Sequence, residues 1–225
     1  MIISIAIDGP AGAGKSTIAK LVANNFDLMY INTGSMYRAV TLKALENHIT
    51  PDDTQRLLTL IDGLSMHFCN DRLILNGLDV NDELSLPSIS SNVSAYASIK
   101  EVREMLVKLQ QHMAKNYNVI MDGRDIGTVV LKDAPFKFFL TATAEERANR
   151  RFKELCDKNI DVSYEKILDD IKKRDYLDSH RDIDPLKKAE DAMEIDTTGL
   201  NIEQVVKCIS DKVNEGLKRM QIENV

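Results

Sequence analysis

Residues 9–16 read Gly-Pro-Ala-Gly-Ala-Gly-Lys-Ser, an instance of GxxxxGK(S/T). A short apolar run over 2–7 precedes it, and over 15–25 the apolar residues Ile18, Leu21 and Val22 recur at helical spacing. Strand, glycine-rich turn and helix, in that order, are the context in which this pattern cradles phosphate. The small residues Gly9, Pro10, Ala11, Gly12, Ala13 and Gly14 let backbone N–H groups face an anion, and the helix N-terminus adds partial positive charge. Lys15 is placed to reach the β- and γ-oxygens of a nucleoside triphosphate, Ser16 to ligate Mg²⁺, and Thr17 completes the turn.

The order of elements beyond this loop predicts an α/β fold. A second short strand over 28–32 and a helix over 35–47, with Met36, Val40 and Leu45 inward, extend the pattern to βαβα and hence to a parallel sheet. Between 63 and 98 the texture changes: short runs at 64–69 and 72–75 flank Asn70-Asp71, and Asn76-Gly77 supplies a second turn signal. A small antiparallel subdomain inserted at 63–98 is expected, with the core comprising 1–62 and 99–225. The alternation resumes with a helix over 99–115 and strands at 118–121 and 136–140. Charged helices at 144–158 and 164–179, a strand at 193–196 and a helix over 202–220 complete the chain.

Composition excludes several classes. A net charge of −6 disfavours binding to duplex nucleic acid, so no nucleic-acid partner is expected. No stretch approaches eighteen apolar residues, and the apolar opening lacks a basic leader, so neither membrane insertion nor export is expected. Cys69, Cys156 and Cys208 form no CxxC pair, which fits reduced thiols and a cytoplasmic location. The four histidines have no metal spacing and receive no role. An Asn/Thr-Lys-x-Asp guanine motif is absent, and Asp122, which ends the run 118–122, lacks the following glutamate typical of ATPase motors. A small phosphotransferase using ATP or GTP with magnesium remains.

A kinase whose acceptor is itself phosphorylated must hold two anions side by side, and bidentate, permanently charged arginines suit that task. Arg38 lies early in the second helix and Arg124 directly after a strand, both near strand carboxyl ends, where open α/β sheets bind ligands. Arg147, Arg150 and Arg151 fall on one helix face, which could present positive charge to a closing site; a charged surface helix with Glu146 and Glu154 as partners of Arg150 is the alternative. Arg174, Asp178 and Arg181 follow the same spacing logic, with surface ion pairing almost as good a reading. Asp122, at the end of an apolar strand, is placed to hold Mg²⁺ directly or through water, with Ser16.

The segments 8–16 (Asp-Gly-Pro-Ala-Gly-Ala-Gly-Lys-Ser), 33–38 (Thr-Gly-Ser-Met-Tyr-Arg) and 122–128 (Asp-Gly-Arg-Asp-Ile-Gly-Thr) resemble those of the bacterial cytidylate kinase family. The segments 145–151 and 174–181 resemble that family's lid and acceptor segments, and the insert its extra domain, so the similarity spans nearly the whole chain. The resemblance implies a five-stranded parallel P-loop core, a lid at about 144–160, and ATP-dependent conversion of CMP or dCMP to the diphosphate. It implies that Lys15, Arg38, Arg124, Arg147, Arg150 and Arg151 bind phosphates. Thr33, Asp125 and Arg174 would face the acceptor sugar, and Ser94, Arg103, Asp178 and Arg181 the base side. A cytosine edge offers an amino donor beside two acceptors, to which an accepting Asp or Ser and a donating Arg are complementary. Among Ser90, Ser91 and Ser94, the last is chosen on resemblance. A monomer is expected. The rivals are a kinase on this scaffold for another acceptor, such as AMP, UMP or shikimate, and a non-enzymatic ATP sensor.

Overall fold

The computed structural model describes residues 2–157 and 160–223. Met1, Lys158 at the end of the helix expected at 144–158, residue 159 of the expected lid, and residues 224–225 lie outside those described.

Five strands, β1 (Ser4–Asp8), β2 (Met29–Asn32), β6 (Val119–Gly123), β7 (Phe136–Thr141) and β8 (Met193–Asp196), form one sheet in the order β2-β6-β1-β7-β8. Every pairing is parallel, with Ile7 opposite Asp122 and Asp8 opposite Gly123 between β1 and β6. Alternation along the strands sends Ile5, Ile7, Tyr30, Ile120 and Phe138 to one face, against α1 (Lys15–Phe26) and α8 (Ile202–Glu223). Ala6, Ile31, Val119 and Met121 point to the other face, toward α2 (Thr33–Glu46) and α5 (Lys100–Asn116). Both faces are therefore covered, as parallel sheets require. The chain turns from β1 toward one edge first and the other later, so the strand carboxyl ends beside β1 form the crevice where such sheets take ligands.

The expected hairpin is present as β3 (Met66–Cys69) and β4 (Arg72–Leu75), extended by a short β5 (Leu78–Asp79) into a three-stranded antiparallel sheet. Asn70 and Asp71 both have positive φ, the backbone of the two-residue turn that matches strand twist. Two helices were not legible in the sequence. Helix α3 (Thr54–Asp62) is capped by Asp53, which accepts from the Arg56 N–H, and buries Leu57 and Ile61. Helix α4 (Pro87–Ala97) is rich in serine, a poor interior helix former, and forms because Ile89, Val93 and Tyr96 bury one face. On α1 the expected inward Leu21 is exposed, and Ala19 and Ala23 pack beside Ile18 and Val22; on α2, Leu45 is only half-buried.

Helices α6 (Ala144–Asp157) and α7 (Tyr164–His180) pack on each other through a small core of their own, in which Ala148, Ile167 and Ile171 meet Phe152, Leu155 and Tyr164. No helix among the described residues is long and apolar enough to cross a membrane.

Candidate active site

The turn after β1 has the backbone its glycines allow. Gly9, Gly12 and Gly14 all have positive φ, and a Cβ on Gly9 would lie 2.1 Å from the carbonyl oxygen of Leu140 on β7. Gly14 caps α1 without a side-chain bond, so the first amides of the helix remain directed at the space above the loop. Lys15 is buried and donates to the carbonyl of Pro10 at 2.8 Å. Burial, and then the charge of Arg124, push its ammonium well below the usual lysine range. A phosphate anion brought to this point would reverse that drift by pairing with the ammonium.

Asp122, at the end of β6 opposite Ile7, accepts from Ser16 Oγ at 2.8 Å through Oδ2 and from the Tyr30 hydroxyl at 2.8 Å through Oδ1. Asn32 donates to both Ser16 Oγ and the Tyr30 oxygen, at 3.3 and 3.0 Å. Thr33 Oγ1 donates to the Asp122 carbonyl at 2.8 Å, fastening the start of α2 to the end of β6. A hydroxyl and a carboxylate oxygen side by side next to the phosphate loop form a hard-oxygen pair, the donor set Mg²⁺ favours. Among the described residues no group of three or more His, Cys, Asp or Glu could enclose a metal, so such an ion would draw its other ligands from water and phosphate.

One cleft is lined by Lys15, Ser16, Thr33, Arg38, Arg124 and Arg174, with Ser94, Arg103, Asp122, Asp125, Asp178 and Arg181 completing its walls. The guanidiniums repel one another. Burial, then Arg124 and Arg151, lower the Arg38 pKa, and burial with Arg124 brings Arg174 down to about 10. Among the described residues the buried Arg174 Nε has no hydrogen-bond partner, and it sits 4.0 Å from Asp178. Asp178 accepts from Arg124 Nε at 2.6 Å. Burial pushes Asp178 up, but Arg124 and Arg174 outweigh it and hold the carboxyl below the usual range. This is a cationic surplus awaiting an anion.

The second half of the cleft is a different network. Arg103, fully buried on α5, donates from Nη2 to Asp125, from Nε to Asp184 at 3.0 Å and from Nη1 to the Ala97 carbonyl at 3.2 Å. Its guanidinium lies 5.4 Å from the centre of the Tyr37 ring. Arg181 donates to Asp125 at 3.3 Å and to the Asp184 carbonyl. Asp125 thus pairs with Arg103 and Arg181, and Asp178 with Arg124.

The three arginines of α6 are spread apart. Arg147 is buried and bidentate to Asp175, with Nη1 also donating to the Ala11 carbonyl of the phosphate loop at 2.9 Å. Arg150 pairs with Glu146 at 3.1 Å and donates to Thr197 Oγ1 and its carbonyl, outside the cleft walls. Arg151 pairs with Glu154 rather than Arg150 doing so, yet its charge reaches Arg38. Sequence reasoning assigned no role to Asp8, Tyr30, Asn32, Tyr37, Asp175 or Asp184; acids matched to arginines by chain spacing alone reveal only neighbours on one helix.

Asp8 is buried at the end of β1, and burial pushes its carboxyl up to about 6 despite two backbone hydrogen bonds. A carboxyl raised in the folded state holds its proton more tightly when folded. Its contribution to stability is full below about pH 4 and is lost as pH rises through about 6. The unfolding free energy of the wild type should therefore fall relative to Asp8→Asn by about 2–3 kcal/mol between pH 4 and pH 7. Denaturant titration across that range reads the difference, and a flat difference contradicts the shift.

The family is decided by comparison with known proteins. The cytidylate kinase family model matches residues 5–215. The chain belongs to the cytidylate kinase family. A cytidylate kinase of Clostridium perfringens (strain SM101 / Type A) is 68% identical over 93% of this chain and 96% of its own. One from Clostridium acetobutylicum is 63% identical over 96% of this chain and 99% of its own. Among solved structures, an uncharacterized protein from Eubacterium ventriosum shares the fold at 14% identity, with a TM-score of 0.55 over 96% of this chain and 99% of that one.

Proposed function

We propose that this protein transfers the γ-phosphoryl group of ATP to CMP and dCMP, giving CDP and dCDP. Membership of the cytidylate kinase family supports this, and so does the cleft itself. The observation that carries the reading is that Lys15, Arg38, Arg124 and Arg174 line the same cleft as the Arg103–Asp125 pair. Lys15, Arg38, Arg124 and Arg174 together suit two phosphate chains, and a fixed donor beside a fixed acceptor suits the nucleoside of the acceptor.

In this mechanism the phosphate loop and Lys15 hold the donor phosphates, while Arg38, Arg124 and Arg174 hold the acceptor phosphate in line with the γ-phosphorus. An acceptor phosphate oxygen attacks and the ADP oxygen leaves. No covalent enzyme intermediate and no strong general base is needed, because the nucleophile is already an anion. Ser16 and Asp122 would hold Mg²⁺, which supplies charge neutralisation at the β- and γ-oxygens. Ser94, Arg103, Asp178 and Arg181 would read the base, and Thr33, Asp125 and Arg174 would stand toward the sugar.

The segment 63–98 borders the acceptor end, since Val93, Ser94 and Ala97 of α4 line the cleft. The lid, about 144–160, closes over the donor: α6 packs with α7 through a core separate from the sheet's. Closure exchanges the Arg147–Asp175 and Arg150–Thr197 contacts for phosphate and excludes water that would otherwise hydrolyse ATP. A monomeric cytoplasmic enzyme fits, because one chain provides both anion sites and its three cysteines are free.

The deciding experiment is an acceptor panel assayed with ATP. CMP and dCMP should exceed UMP and AMP in kcat/KM by about a hundredfold or more, since a hydrogen-bonding site rejects a base that leaves its polar groups unpaired. Equal use of UMP, or ATP binding without transfer to any monophosphate, contradicts the reading.

A further inference from the structure

Directly after Arg124 the chain makes a π-helical turn, Ile126–Val130, which begins at Asp125. Aspartate at such a position commonly caps the helix by accepting from the first free amides. Here Asp125 makes no capping bond, because its carboxylate faces Arg103 and Arg181. The free amides are satisfied from another element. Ile126 N–H donates to Asp8 Oδ1 at 2.8 Å and Gly127 N–H to Asp8 Oδ2 at 2.7 Å, a reach of more than a hundred residues along the chain.

Asp8 is also the residue that β1 hands to the phosphate loop, and it sits opposite Gly123 in the sheet. One carboxylate therefore joins the donor loop to the segment bearing Arg124 and Asp125. We propose that Asp8 is a positioning residue for the acceptor site: it caps the 126–130 turn in place of Asp125 and so leaves the Asp125 carboxylate directed at Arg103 and Arg181. Removing the Asp8 carboxylate orphans two buried N–H groups. The Gly127 amide stands where an ordinary N-cap aspartate bonds, so the Asp125 side chain turns back to it and releases both arginines.

The proposal rests on reading this cleft as the acceptor site. Steady-state kinetics of wild type, Asp8→Asn and Asp8→Ala, with CMP and ATP each varied, test it. Wild-type turnover of CMP checks the functional reading, and the change in the variants checks Asp8, so the two fail separately. The acceptor KM should rise about tenfold in Asp8→Asn, which keeps one accepting oxygen, and up to about a hundredfold in Asp8→Ala, with the ATP KM within about twofold of wild type. In an Asp125→Asn background the same Asp8 substitutions should have a much smaller effect on the acceptor KM, because the carboxylate they misdirect is already gone. Equal rises in both KM values, or full additivity with Asp125→Asn, overturn the proposal. If neither variant folds, the carboxylate is a stability element of the core and the proposal is likewise overturned.

Discussion

Lys15→Ala should lower kcat by about 10³-fold while leaving a folded protein that still binds CMP. The side chain is buried at the start of α1 with its ammonium on the Pro10 carbonyl, close enough to the cleft for Arg124 to lower its proton affinity. In the proposed mechanism that ammonium pairs with the phosphate oxygens of the donor. Losing it removes stabilisation that grows as charge spreads over the γ-phosphoryl oxygens, which is why kcat falls more than nucleotide affinity. Little else depends on it, since the Pro10 carbonyl can turn to water. Single-turnover transfer from ATP to CMP measures the loss, and calorimetric CMP binding checks that the acceptor site survives. A rate within tenfold of wild type would remove Lys15 from the chemistry.

Arg124→Ala should depress kcat/KM for the acceptor by about 10³-fold, through a higher KM and a lower kcat together. The guanidinium shares the cleft with Lys15, Arg38 and Arg174, and its Nε donates to Asp178 Oδ2 at 2.6 Å. In the proposed mechanism it anchors and aligns the acceptor phosphate, so its removal costs binding and orientation at once. The same change leaves the nearly buried Asp178 carboxylate with Arg174 at 4.0 Å and the more distant charge of Arg181. A stability loss of about 3 kcal/mol should accompany the kinetic defect. Asp178→Asn with Arg124→Ala should recover much of that stability without recovering activity, which separates the two roles. Unchanged steady-state kinetics in Arg124→Ala would refute its part in the mechanism.

Much of the acceptor site could not be read along the chain, because its partners come from different elements. The pairing of Arg103 on α5 with Asp125 after β6 and Asp184 after α7 joins positions that no helical spacing relates. Arg147, Arg150 and Arg151 share one face by spacing, yet one turns to Asp175 and the phosphate loop, one to Thr197, and one to Glu154 toward Arg38. Spacing gives direction from a helix axis and says nothing of which carboxylate waits there. Helix α4 escaped notice for a related reason: its serines carry no propensity signal, and the burial of Ile89, Val93 and Tyr96 against α2 and α5 holds it helical.

What local sequence determined was the chemistry that one continuous segment can hold. The phosphate loop between an apolar strand and a helix, the alternation that requires a parallel sheet, and the Asn70-Asp71 turn are decided by backbone conformations and side-chain periods within a few residues of one another. What only the tertiary structure decided was how the charges are shared. Asp8 caps a distant turn so that Asp125 does not, Tyr30 and Ser16 meet on Asp122, and Asp178 takes Arg124. Each choice is made by which buried polar group has the better partner across the sheet, and that competition exists only once the strands are side by side.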